Sequence, residues 1–350
     1  MADVFSAIIL DSDYWDGTES WAGEVSEAAR DSKYSTRNYS SLSAWESARD
    51  GVALAADDEY ANVFGPWVSH DTGEIAFVGW TNKPANIILQ TIGDDARSQD
   101  GKFDSNSCYV LENDSALRNI DIGEAGFTIS IVGIQFEATS TSADAAIWMD
   151  HDCTVSIDKC YFYENGDQGG RGLRPLANVT LTVTNSIFVD FSETIKGNAG
   201  TGSGKIYNCT LTGASGDCIE DDGGTWTVKN CALFDNNDDF QDPNTLDSNA
   251  SDQGSGEGTN GLDISSTWNT TCFTNQAAGD YSIESDSPLK DASDISQADD
   301  ANVPSDDIIG TARNTGAGQT VSIGAFEYQA AGGGLSIPVA MHHLTKNMGN

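Results

Sequence analysis

An all-β solenoid of the parallel β-helix type is the fold this sequence predicts, and three observations predict it. The 350 residues hold 36 Gly but only 7 Pro, and Ser, Thr, Asn and Asp abound where helix formers are sparse. Many short strands joined by turns fit such a composition. A phrase also recurs, as Val155-Ser-Ile-Asp-Lys-Cys160-Tyr-Phe162, Leu181-Thr-Val-Thr-Asn185-Ser-Ile-Phe188, Gly204-Lys-Ile-Tyr-Asn208-Cys-Thr-Leu211 and Trp226-Thr-Val-Lys-Asn230-Cys-Ala-Leu233. Its small residue, at Cys160, Ser186, Cys209 and Cys231, returns after 26, 23 and 22 residues, and Ile129-Ser-Ile-Val-Gly133-Ile-Gln-Phe136 adds a copy 26 residues upstream. A coil of that length, turning three times, is one rung of a parallel β-helix. An antiparallel sandwich would need neither the period nor the phrase.

Each part of the phrase has a physical role. Alternation turns Val183, Ser186 and Phe188, or Ile206, Cys209 and Leu211, toward one interior line. The small residue, Cys209 or Cys231, fits where strands turn inward and space is tight. Asn185, Asn208 and Asn230 suit a bend, because Asn tolerates left-handed backbone and its amide can bond a neighbouring coil. At ~4.8 Å per coil, ~9 coils between residues 75 and 290 would make a rod ~43 Å long.

A solenoid exposes strand edges at both ends, so caps are expected. Residues 38–51 read as a short amphipathic helix with Ser40 or Ser41 as N-cap and Gly51 as the stop. Leu42 and Trp45 share a face at i, i+3 and would plug the first coil. Near the end, Ser287-Pro-Leu289, Asp307-Ile-Ile-Gly310-Thr-Ala-Arg313 and Val321-Ser-Ile-Gly324-Ala-Phe326-Glu-Tyr328 supply the second cap. The organisation is therefore an N-terminal segment and cap helix (1–74), a β-helix with its C-terminal cap (75–328), and a Gly linker with a docking tail (329–350). In that tail Gly332, Gly333 and Gly334 form a hinge. Leu335, Ile337, Pro338, Val339, Met341, His342 and Leu344 form an apolar strip suited to a partner's groove.

Charge narrows the function. Seventeen Lys and Arg face 54 Asp and Glu, a net charge of −37. Nucleic-acid binding needs a basic stripe, and an anionic membrane needs basic clusters; neither can be built here. No stretch approaches the ~18 apolar residues of a membrane span. The start has no basic n-region, so no export leader is expected. Seven Cys, an odd number without a CxxC, read as reduced, buried hydrophobes rather than a disulfide frame or zinc site.

Candidate chemistry rests on three acidic clusters: Glu220-Asp221-Asp222, Asp235 with Asp238 and Asp239, and Asp150-His151-Asp152. Carboxylates one coil apart could act as acid and base on a glycoside. A lyase would also need a cation against them, and the sequence places none of Arg171, Arg174, Lys196, Lys205 or Lys229 there. No cofactor is expected beyond a weak Ca2+ site on Asp235-Asn-Asn-Asp-Asp239. No metal ligand set is assigned.

The Tyr39-x-Ser41-Leu42-x-Ala44-Trp45-Glu46 opening, the Asn-Cys-x-Leu/Phe rungs and the Ser-Pro-Leu, Asp-Ile-Ile-Gly-x-x-Arg and Ile-Gly-Ala-Phe-Glu-Tyr close resemble right-handed parallel β-helix proteins of tailed-phage virions and environmental bacteria. The resemblance covers roughly residues 34–328. It is specific for fold and poor for function, because such solenoids host lyases, adhesins and inert structural parts. It implies a non-enzymatic virion protein, made in the host cytoplasm and released by lysis. As a capsid decoration (cement) or tail protein it would be held through its C-terminal tail to a major capsid or tail protein, as a homotrimer. The alternative is a β-helix that binds or cleaves polysaccharide on a host surface, and a third reading is a bacterial adhesin.

Overall fold

A computed structural model describes residues 4–8, 38–50, 58–65, 67, 69–80, 83–92, 101–113, 118–139, 145–166, 169–198, 202–221, 223–241, 245–253 and 258–328. Three parallel sheets wrap one interior to form a β-solenoid. Sheet A has ten strands, sheet B eight and sheet C seven, and from Glu59 onward neighbours in each sheet come from successive coils, while Val4–Ile8 sits between Asn38–Tyr39 and Glu59–Phe64. One coil runs Thr180–Thr184 in sheet A, Ile187–Val189 in sheet B and Glu193–Lys196 in sheet C. About six full coils are present, spanning roughly 29 Å at ~4.8 Å each. The nine expected between residues 75 and 290 are not reached, because the chain leaves the coil after Leu262–Asp263. Sheet A in turn begins before residue 75, with Val4–Ile8 paired in parallel to Glu59–Phe64.

Interior packing follows the phrase. Phe136, Phe162 and Phe188 are register partners in sheet B, and their rings stack at 4.5 and 4.4 Å with planes within 5°. In sheet A, Leu181, Gly204 and Trp226 are partners. A Cβ on Gly204 would stand 2.1 Å from the Trp226 ring, so the glycine of one coil makes room for the indole of the next.

The bend behaves as the sequence predicts, with one addition. Asn185, Asn208 and Asn230 take φ of +47°, +52° and +55°, and Lys159 occupies the same place at +56°. The small residue that follows is fully buried at Cys160, Ser186, Cys209 and Cys231. Each donates to the carbonyl two residues back: Cys160 to Asp158 at 3.3 Å, Ser186 to Thr184 at 2.8 Å, Cys209 to Tyr207 at 3.3 Å and Cys231 to Lys229 at 3.3 Å. In these four coils the position holds a small side chain with a donor, Cys three times and Ser once, whereas Ile134 fills it in the copy upstream.

The helix forms over Leu42–Arg49, and Ser41 Oγ caps it by accepting from Ala44 N at 2.9 Å. Asp71 accepts from Leu42 N at 2.8 Å and from the Tyr109 hydroxyl at 2.7 Å, which ties the helix start to the coil. Leu42 and Trp45 are fully buried, and Trp45 packs on Phe77 and Trp80. Asp50 closes the helix; the predicted stop, Gly51, lies outside the described residues.

Residues 264–328 lie along the flank of the rod. They cover the outward side of sheet B, where Tyr161, Ile187, Val189, Ala232 and Phe234 join Ile264, Phe273, Leu289, Ile323 and Phe326 in a second apolar cluster. This strap also binds the bend column. Asn208 donates to Ser322 O, Asn230 to Ile295 O and Lys159 to Asp306 Oδ2, while Arg313 Nη2 donates to Asn185 Oδ1. The side-chain amides of Asn208 and Asn230 thus serve the strap instead of a ladder between coils.

Candidate functional site

Sheet C turns outward a half-buried face that gathers scarce cations and an aromatic ring. Asp121, Trp148 and Arg174 are register partners, as are Arg171 with Glu193 and Lys196 with Glu220. Arg118 lies 3.9 Å over the Trp148 ring and bonds Asp121 Oδ2 at 2.7 Å; Arg174 lies 5.9 Å from the same ring. A ladder of ion pairs continues from Arg171 to Glu193, to Lys196 and to Glu220. Burial works to raise the Glu193 pKa, but Lys196 and Arg171 outweigh it and hold the carboxyl below its ordinary value. Asp121 shifts the other way, because burial and then nearby Asp150 overcome Arg118. A flat ring flanked by guanidinium and carboxylate groups can stack on a sugar face and bond its hydroxyls.

The predicted acidic clusters are tied into the framework. Glu220 belongs to the ladder. Asp221 Oδ1 accepts from Gly223 N at 2.9 Å and Gly224 N at 2.6 Å, closing a turn, and Asp222 lies outside the described residues. Asp239 is fully buried and accepts from Asn236 at 2.8 Å and from Ser251. Asp235 N donates to Asp252 Oδ2 at 2.8 Å. Asp152 accepts from Asn178 N, and His151 is exposed, 3.7 Å from Asp150. A pairing that the sequence reading missed is Asp217 beside Asp238 on adjacent strands. The basic residues sequence could not place are engaged: Arg171 and Lys196 in the ladder, Lys229 with Asp300 at 3.0 Å and Lys205 with Asn302 at 3.1 Å.

A third group was absent from the sequence reading. Glu112 and Glu137 are direct neighbours on adjacent strands of sheet B, and His70 stands between them. Its Nδ1 lies 2.7 Å from Glu112 Oε2 and 3.4 Å from Glu137 Oε2, while Nε2 lies 3.1 Å from the Ser105 carbonyl. The parallel bridge Asp71↔Leu111 sets His70 beside the sheet. Gln135 holds the Ser105 loop by exchanging two bonds with the Asp104 backbone, at 2.8 and 3.0 Å. Among the described residues this is the cluster whose donor atoms, all within 4.8 Å of one another, could hold a metal ion. A signal existed in the register: Glu112 and Glu137 each follow an interior residue, Leu111 and Phe136, of one stacked column.

Of the other residues singled out from sequence, Trp45, Asn185, Asn208, Cys209, Asn230 and Cys231 are all fully buried. The strip from Leu335 to Leu344 lies outside the described residues. Among those described, no helix is long and apolar enough to cross a membrane. The chain matches no family model, no curated protein and no solved structure.

Proposed function

We propose that the protein is a non-enzymatic structural component of a virus particle, a β-solenoid rod displayed as a capsid decoration or tail protein. The observation that carries this reading is how the acids are used: Glu220, Asp221 and Asp239 close turns, ladders and interior bonds. Seven free, buried cysteines add support, since the coils hold together without disulfides. So does the sequence resemblance to virion β-helices. Attachment is assigned to the strip Leu335 to Leu344 behind its glycine hinge, binding a major capsid or tail protein. Such a short peptide buries modest area, so a homotrimer presenting three tails would gain by avidity.

Mass spectrometry of purified particles tests this directly: hundreds of copies place the rod on the capsid, a few on the tail, and none overturns the reading. Deleting residues 332–350 should leave a folded solenoid that no longer enters particles. Normal incorporation of the truncated chain would move the attachment to the rod itself.

A second reading is favoured by Trp148 and its flanking Arg118 and Arg174: the outward face of sheet C binds a host polysaccharide. Trp148→Ala would then abolish retention on that glycan while the solenoid still folds, losing at least the roughly 1 kcal/mol of the Arg118 contact. New reducing ends would extend this reading to cleavage, with Asp217 and Asp238 the first residues to replace. Absence of retention by the wild-type protein would exclude it.

A further inference from the structure

We infer that His70, Glu112 and Glu137 form a binding site for a divalent transition-metal ion of the Zn2+ class. A carbonyl oxygen only accepts, so the bond to Ser105 O places the imidazole proton on Nε2. In the neutral ring Nδ1 is then a lone pair, and it faces two carboxylate oxygens, at 2.7 and 3.4 Å. With the ring neutral, three electron-rich atoms converge, and a metal ion or a second ring proton must supply the positive charge. The fold aggravates this by setting Glu112 directly opposite Glu137, an arrangement of like charges that destabilises a sheet. Glu137 is 5% exposed, and its Oε2 has no hydrogen-bond partner. A buried, unbonded carboxylate oxygen is costly. A cation between the three atoms removes every one of these penalties.

The surroundings are those of a built site. Asn165 Nδ2 donates to Glu137 Oε1 at 2.7 Å, which turns Oε2 toward His70. The Ser105 carbonyl orients the imidazole, as outer partners do around metal-bound histidines. Zn–N and Zn–O bonds of ~2.0–2.1 Å in a tetrahedron separate the donor atoms by about 3.3 Å. The His70–Glu137 separation of 3.4 Å already fits. The His70–Glu112 separation of 2.7 Å must open by about 0.6 Å to reach the same tetrahedral value, and the Glu112 side chain, 23% exposed, has room to turn. One nitrogen and two oxygens suit Zn2+, Mn2+ or Ni2+ better than Ca2+, which takes six to eight oxygens. Water would fill the remaining position. The site is independent of whether the rod sits on a particle.

The test uses the full chain stripped with EDTA, then equilibrated with Zn2+ in excess Mg2+ so that surface carboxylates are occupied. Wild type should retain more Zn2+ than His70→Ala or Glu137→Gln, and its melting temperature alone should rise with Zn2+. Glu112→Gln keeps the shape of the side chain and guards against a misfolded His70→Ala. Asn165→Ala, which touches no ion, should weaken binding about tenfold. Equal Zn2+ content in wild type and His70→Ala would overturn the site and leave a proton on Nδ1 as the neutralising charge. Loss of the extra Zn2+ in His342→Ala/His343→Ala would overturn it too, by assigning uptake to the tail.

Discussion

Sheets B and C present their outward faces to opposite surroundings. From Tyr161 onward the outward positions of sheet B are largely apolar, at Tyr161, Ile187, Val189 and Phe234, and the chain's own strap covers them. Sheet C turns out Arg171, Arg174, Glu193 and Lys196, all half-buried. The same backbone thus makes one face an internal apolar interface and the other a half-buried row of charges. Free energy on the covered face comes from apolar burial and a few desolvated ions; on the sheet C face it comes from half-buried ion pairs.

Substitutions can break or sharpen that contrast. The largest effect is expected at Arg313, fully buried against Glu327 at 3.0 Å and bonded to Asp306 O, Ser322 O and Gly324 O. Arg313→Ala strands Glu327 and should cost about 3–5 kcal/mol. Denaturant titration measures the loss, and new protease cleavage within residues 264–328 shows the strap lifting. A loss below about 1 kcal/mol would put this pair in the class of screened surface ions.

Next comes the interior between the faces. Cys231→Asp buries a charge with no counter-ion and should cost several kcal/mol. Cys231→Ser keeps the donor to the Lys229 carbonyl and should stay within about 1 kcal/mol. Equal melting temperatures for both would mean that residue 231 faces solvent.

A smaller, pH-dependent effect belongs to the helix. Burial, opposed by the bond from Trp80, pushes the Glu46 pKa up to about 7. The folded state therefore holds a proton that the unfolded chain releases near 4.5, and stability falls as pH rises through that window. Glu46→Gln should stabilise by about 1–2 kcal/mol above pH 7, allowing for solvent screening, and by nothing below pH 4. Melting curves at both pH values decide it. The smallest effect is on the sheet C face, where Arg118→Ala should cost about 1 kcal/mol, less in high salt. A salt-independent loss would show that this face is drier than its exposure suggests.

These contrasts explain what was legible from the chain alone. The coil could be read because Cys160, Ser186, Cys209 and Cys231 answer one local demand, a small donor after a left-handed bend, and so repeat. The helix could be read because Ser41, Leu42 and Trp45 act within one turn of each other. The strap's role could not. Arg313 meets Asn185 across 128 residues, and nothing periodic links them. The count of coils failed for the same reason, since turn-rich residues 264–290 look like coil and form strap. His70 lies 42 residues from Glu112, farther in sequence than one coil of 22 to 26 residues. Only the paired register of sheet B brings those donors together, and composition carries no trace of it.

The strap has a consequence for how the molecule comes apart. A bare solenoid is nearly one-dimensional, so its coils can fray from an end, one after another, each governed by its nearest neighbours. Here Lys159, Asn185, Asn208 and Asn230, on four successive coils, all answer to one segment. Losing any of those coils releases contacts made by the others. The stapled stretch should therefore melt as a single cooperative unit, joined through Lys102 and Asp280 by the segment around residues 101–103.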